Sequence, residues 1–244
     1  MRTIKLTLEY DGSDFVGWQR QPNGLSVQEV VEGALAQLLG SPVSLTSSGR
    51  TDAGVHALGM VAHFHTDRDL PLKAFREGVN SFLPATVAVQ RAEQVADDFH
   101  ARFDARGKWY RYTIYQAEVR SPMLANRAWW LRSPLDSAAM EQAAAAFVGR
   151  HDFAAFRTTG CAAKTTEREI YSVSLQRQDR LLIVDVRGSG FLRNMVRMMV
   201  GTLMEIGQGK RPVEAVADLL NGKDGGGPAH TAPAHGLCLM EVWY

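Results

Sequence analysis

Ser26-Val27-Gln28-Glu29-Val30-Val31-Glu32-Gly33-Ala34-Leu35-Ala36-Gln37-Leu38-Leu39-Gly40 holds a helix start, an apolar face and a helix stop in one stretch. Ser26 and Glu29 stand three apart in the order of a capping box, where the serine oxygen accepts from the amide three residues on. Val27, Val30, Val31, Ala34, Leu35, Leu38 and Leu39 recur at i, i+3, i+4, so one side of the helix needs a core to bury it. Gly40 supplies the stop. Upstream, Ile4, Leu6, Leu8 and Tyr10 alternate with Lys5, Thr7 and Glu9, the period of a half-buried strand. Downstream, Val43 to Thr46 and Met60 to His65 read as strands, separated by the loop Gly49-Arg50-Thr51-Asp52-Ala53-Gly54-Val55-His56. A second helix is predicted from about Pro71, carrying Phe75, Val79 and Phe82, and gives way before Pro84 to a strand through Val87 and Val89. The order is β-α-β-β-α-β.

The second half repeats that order more loosely. Lys108 to Gln116 alternates as a strand, and Asp136 to Val148 is an alanine-rich helix. Glu169 to Leu175 and Leu181 to Arg187 read as a hairpin, followed by a helical stretch from Phe191 to Ile206, a short helix from Pro212 through Leu220, and a strand from Leu237 to Tyr244. The predicted fold class is α/β (α+β), with two ferredoxin-like, RRM-like halves at residues 1–105 and 106–244. Lys223 to Gly236, rich in glycine and proline, reads as a flexible loop.

The chain has 244 residues, 45% hydrophobic and 22% charged, which excludes disorder, collagen and coiled coil. Its net charge of +1 conceals −4 over residues 1–100, +7 over 101–200 and −2 over 201–244. The basic third interleaves Arg106, Lys108 and Arg111 with Trp109, Tyr110 and Tyr112, a composition that suits a phosphate-bearing partner or, more plainly, a solvated face neutralised elsewhere in space. Cys161 and Cys238 are the only cysteines and form no C-x-x-C pair, so no thiolate metal site is expected and the setting is expected to be reducing and cytoplasmic. The alternating amino terminus lacks the continuous apolar core of a signal peptide, and no apolar run approaches the roughly 18 residues of a membrane span.

In the 49–56 loop two glycines flank Arg50 and Asp52, allowing tight turns and close approach of a ligand. A lone carboxylate is not the pair of a typical glycosidase, and no Ser or Cys triad is visible. Asp52 would therefore act alone, as nucleophile or base. With a reference pKa of about 3.9 and a guanidinium nearby, it is an anion at neutral pH. The bland alternative is a turn with one surface ion pair.

Gly49-Arg50-Thr51-Asp52-Ala53-Gly54-Val55-His56-Ala57 resembles the catalytic motif of the tRNA pseudouridine synthase A family. Supporting blocks run through the chain in order: Leu8-Glu9-Tyr10-Asp11-Gly12, Gly17-Trp18-Gln19-Arg20-Gln21, Asp98-Phe99-His100-Ala101-Arg102-Phe103, and Met195-Val196-Arg197 with Val200-Gly201. The resemblance implies that Asp52 is the catalytic carboxylate, that Tyr110 lies against the target base, that Arg197 pairs with Asp52, and that Arg50 handles the extruded nucleotide. It implies isomerisation of uridine to pseudouridine at positions 38, 39 and 40 of the tRNA anticodon stem-loop, without cofactor or metal. It further implies a pseudouridine synthase fold whose halves share a mainly antiparallel sheet, and a homodimer with tRNA as partner and no membrane association. The chain departs from the pattern at Gly107-Lys108-Trp109 and in the glycine-rich segment after Lys223.

Two rival readings are weaker. A non-catalytic RRM-like RNA-binding module would suit the basic aromatic strands, but it lacks a strict RNP signature. A hydrolase of small nucleosides would use Asp52 and His56. His63 and His65 share a strand face without a nearby third ligand, and a structural role is expected for them. Met195, Met198, Met199 and Met204 are expected to pack. Arg193 and Arg197, at i and i+4, are expected on one helical face.

Overall fold

The computed structural model describes residues 1–158, 160, 164–223 and 230–244. Cys161 and residues 224–229 of the predicted glycine-rich loop lie outside the described residues. In chain order the elements are β1 (Arg2–Tyr10), α1 (Val27–Leu39), β2 (Thr46–Ser47), β3 (His56–Thr66), a π-helical turn (Ala74–Gly78), β4 (Val87–Val95), β5 (Gly107–Gln116), β6 (Trp129–Leu131), α2 (Ser137–Ala144), β7 (Gly149–Asp152), β8 (Glu167–Gln178), β9 (Leu181–Gly188), α3 (Met195–Gly207), α4 (Ala215–Leu220) and β10 (Leu237–Trp243). They form two compact units, Met1–Arg106 with Cys238–Tyr244, and Gly107–Leu237.

In the first unit β1 lies between β3 and β4, antiparallel to both, so that Leu6 faces Ala62 on one side and Ala92 on the other. The predicted alternation is realised: Ile4, Leu6 and Leu8 are fully buried, together with Val27, Val31 and Leu35 of α1. Ser26 Oγ accepts from the Glu29 amide at 3.2 Å, and Gly40, at φ 71°, donates its amide to Ala36 O. The cap, the apolar face and the stop are all where the sequence puts them. The strand expected over Val43 to Thr46 is instead the short β2, because the Leu45 backbone is taken by α1 side chains. Its amide donates to Glu32 Oε1 at 2.9 Å and its carbonyl accepts from Gln28 Nε2 at 3.3 Å. In the π-helical turn the Val79 amide reaches back five residues to Ala74 O, burying Phe75 and Val79. Phe82, expected on the helix, lies beyond its end and is 45% exposed.

In the second unit β5 pairs antiparallel with β9, β9 with β8, and β8 with β7, while β6 runs parallel to β5. The β8–β9 hairpin turns at Asp179, whose φ is 52°. Asp136 caps α2 by accepting from the Ala139 amide at 3.0 Å. The predicted helix to Val148 stops earlier, passing through a 3-10 turn into β7. The helix expected from Phe191 begins only at Met195, because Asn194 adopts a left-handed φ of 61° that no α-helix continues through. Arg193 therefore precedes the helix, and the shared helical face expected for Arg193 and Arg197 does not exist. Met195, Met198, Met199 and Met204 are buried, as their stripe predicts. Gly207 lets α3 pass α2, since a Cβ there would lie 2.6 Å from Met140 Sδ.

The last strand belongs to the first unit. Within it β10 runs parallel to β3, with Cys238 beside His56 and Leu239 beside Ala57, although sequence reading counted these residues with the second half.

Candidate functional site

The 49–56 loop connects β2 to β3 and is tied to the segment after β1 at several points. Tyr10 Oη lies 2.7 Å from Thr51 Oγ1 in the interior. The Trp18 amide donates to Thr51 O at 3.1 Å, and Gly17 forms an isolated antiparallel bridge with Asp52. The Val55 amide closes a turn onto Asp52 O at 3.1 Å, with Gly54 at φ 78°. Trp18 is buried and its ring is 6.1 Å from that of Tyr10. Asp52 sits at the boundary this arrangement creates, half-buried between buried Thr51 and exposed Ala53, while Arg50 is exposed. A carboxylate on a backbone fixed on both sides loses little freedom when it meets a ligand, which favours chemistry over a loose surface role.

Two glycines of the 10–18 segment make this approach possible. A Cβ at Gly12 would lie 2.0 Å from Val55 O, and one at Gly17 would lie 2.6 Å from Thr51 O, with φ there at 111°. Both residues fall inside the blocks that carry the family resemblance, yet sequence reading did not connect them with the loop. The available signal was two glycines five apart in a segment with no helix or strand period.

His56, the first residue of β3, is buried. Its Nδ1 accepts from the Gly12 amide at 3.0 Å and lies 3.2 Å from Asp11 Oδ1. Arg50, Asp52 and His56 are thus brought together by one loop of the first unit.

Tyr110 and Arg197 belong to the second unit. Tyr110, opposite Val186 on β5, is 8% exposed and meets Phe191 edge-on at 5.2 Å between centroids. Tyr112 shares that face, is fully buried and donates its hydroxyl to Pro233 O at 2.8 Å. Burial pushes the Tyr112 phenol well above its ordinary range, with the Arg197 charge acting weakly against it. Arg197 is held by its own unit: Nε donates to Ala232 O at 2.7 Å and Nη1 to Asn194 Oδ1 at 2.8 Å.

Part of the basic third is neutralised where it stands. Arg111 makes a two-pronged contact with Asp185, at 2.9 Å through Nε and 2.9 Å through Nη2, and Trp109 Nε1 donates to the same carboxylate at 2.7 Å. The Arg187 guanidinium lies over the Trp109 ring at 4.4 Å, so guanidinium cations from Arg187 and Arg111 stack on this indole. In the first unit His63 and His65 meet edge-on at 5.5 Å, and among the described residues no three His, Cys, Asp or Glu side chains cluster as a metal site would. Nor is any described helix long and apolar enough to cross a membrane.

Comparison with known proteins gives this geometry a context. The chain is 62% identical over 244 residues to tRNA pseudouridine synthase A of Syntrophotalea carbinolica, covering 100% of this chain and 97% of that protein. It is 57% identical to the protein of the same name from Geobacter sp. strain M21, covering 100% and 99%. Identity to the Pelobacter propionicus protein of that name is also 57%, with both chains covered completely. A profile described as tRNA pseudouridine synthase matches residues 7–104 and 143–244, a span that includes the loop around Asp52 and the helix of Arg197. With that much of the chain matched, and mixed α/β units built on mostly antiparallel strands, the protein belongs to the tRNA pseudouridine synthase family.

Proposed function

We propose that this chain isomerises uridine to pseudouridine in tRNA, at positions 38, 39 and 40 of the anticodon stem-loop, with Asp52 as the reacting carboxylate. The observation that carries the reading is the fixed, half-buried setting of Asp52, bridged to Gly17 and preceded by the buried Thr51. The reaction breaks the N1–C1′ bond, turns the uracil and joins C5 to C1′, with C5 giving up a proton and N1 gaining one. It consumes no redox equivalent, phosphate or water, so its stoichiometry calls for no cofactor.

Tyr110, Arg50 and Arg197 bind the substrate. Extruding a paired base costs a few kcal/mol, and aromatic stacking of about 1–3 kcal/mol together with phosphate contacts offsets it. Arg50 is exposed and able to reach a phosphate. The protein works as a cytoplasmic homodimer, a state that sedimentation of the free chain would check.

The test is to incubate unmodified tRNA with the protein and map pseudouridine along it. Product at 38–40 with the native chain, and loss of about a hundred- to ten-thousand-fold in rate with Asp52→Asn at undiminished tRNA affinity, is the expected result. Binding without product from the native chain would make it an RNA-binding module, and release of free uracil would make it a hydrolase.

A further inference from the structure

His56 has two ring nitrogens, and hydrogen bonding among the described residues accounts for one of them. Nδ1 accepts from the Gly12 amide at 3.0 Å. An amide hydrogen needs a bare lone pair, so Nδ1 carries no proton and the neutral ring holds its proton on Nε2. Asp11 Oδ1, 3.2 Å from Nδ1, does not need the ring as a donor, because it already accepts from the Ser13 amide at 3.1 Å and the Ser13 hydroxyl at 2.6 Å. Nε2 is buried with no hydrogen-bond partner among the described residues.

A buried donor left unmade costs stability, but an apolar ring would strand the buried Gly12 amide instead, so what calls for a histidine here is the bond to Nδ1 rather than the volume of the ring. What the imidazole does accomplish is to fix Gly12. The Gly12 carbonyl in turn accepts from the Phe15 amide at 3.1 Å, closing a turn that ends two residues before Gly17, which bridges to Asp52. The absence of a side chain at Gly12 lets this turn sit directly against Val55, the residue before His56.

We propose that His56 is a positioning residue for the isomerisation: its unprotonated Nδ1 anchors Gly12, and through the 12–17 segment sets the placement of the Asp52 carboxylate. This rests on the reading of Asp52 as the reacting group.

Two substitutions separate the ring atoms. In His56→Asn the side-chain oxygen falls near the Nδ1 position and can accept from Gly12; in His56→Gln the amide falls near the Nε2 position instead. Rates are measured on unmodified tRNA, per folded protein by circular dichroism, with Asp52→Asn alongside. His56→Gln is expected to lose about 10- to 100-fold in kcat with KM for tRNA changed less than about twofold, and His56→Asn to recover most of that loss. Equal loss in both variants, full kcat in the Gln variant, or recovery by Gln rather than Asn would overturn the proposal. So would a rise in KM with kcat unchanged. Persisting activity in Asp52→Asn would instead overturn the reading of Asp52, and so is told apart from failure of the His56 assignment.

Discussion

The hydroxyls of Tyr10 and Thr51, 2.7 Å apart and closed off from solvent, join the end of β1 to the residue before Asp52. Tyr10→Phe keeps the ring and deletes the oxygen, leaving a buried Thr51 hydroxyl without that partner. Stability should fall by about 1–2 kcal/mol in a urea titration. Turnover should fall as well if Thr51 steadies its neighbour, and unchanged stability would mean that the hydroxyl pair contributes nothing net.

Gly17→Ala tests the close approach of the two segments. The new methyl meets the Thr51 carbonyl, and the backbone must hold a φ of 111° that side chains disfavour. The combined strain should lower stability by about 1–3 kcal/mol and slow turnover, because the bridge to Asp52 has to move. A thermal melt and a rate equal to those of the native chain would refute the tight packing.

Arg197→Ala removes two charge-assisted hydrogen bonds, to Ala232 O and to Asn194 Oδ1. The expected loss is about 1.5–3 kcal/mol, read from the shift in denaturant midpoint. Lysine restores the charge but not the planar fork, so Arg197→Lys should regain only part of that stability. Complete restoration by lysine would show that charge alone matters at this position.

His63 predicts an acid limb of stability. Its Nδ1 accepts from the Ala101 amide at 3.2 Å. Burial first, then the charges of His100 and His65, lower its pKa below 6.5, against weaker opposing effects from the Thr46 backbone and Asp104. The folded ring therefore resists a proton that the unfolded chain accepts. Stability should be whole above pH 6.5 and decline as pH falls below it. His63→Gln, which cannot titrate, should show a shallower decline in urea midpoint between about pH 6.5 and 5. An identical slope in both proteins would exclude the assignment.

Elements with local signals were legible in the sequence. Ser26, Glu29 and Gly40 name the ends of α1 through side-chain and backbone chemistry that acts within a few residues. The methionines of α3 announce their burial by spacing. What escaped depended on contacts distant along the chain or on single dihedrals. Asparagine tolerates a left-handed turn better than most residues, but its presence alone does not place one at 194, so apolar spacing predicts a helix from Phe191, four residues early, with Arg193 on it. Apolar spacing also carries Phe82 past the point where its helix ends. The loop of Arg50 and Asp52 stood out from its residues, His56 among them, but its supports at Gly12 and Gly17 did not, because they act through space on a segment more than thirty positions away. Periodicity likewise identifies β10 as a strand without naming β3 as its neighbour.

The parallel pairing of β10 with the start of β3 sets an order of events during synthesis. Residues 238–244 leave the ribosome after every residue of the second unit, so the edge of β3 at His56 stays unzipped while 107–237 are made. At roughly 5–20 residues per second that wait lasts about seven to twenty-six seconds. A nascent chain arrested before residue 238 should accordingly leave the 49–56 loop open to protease, and a chain carrying residues 238–244 should close it.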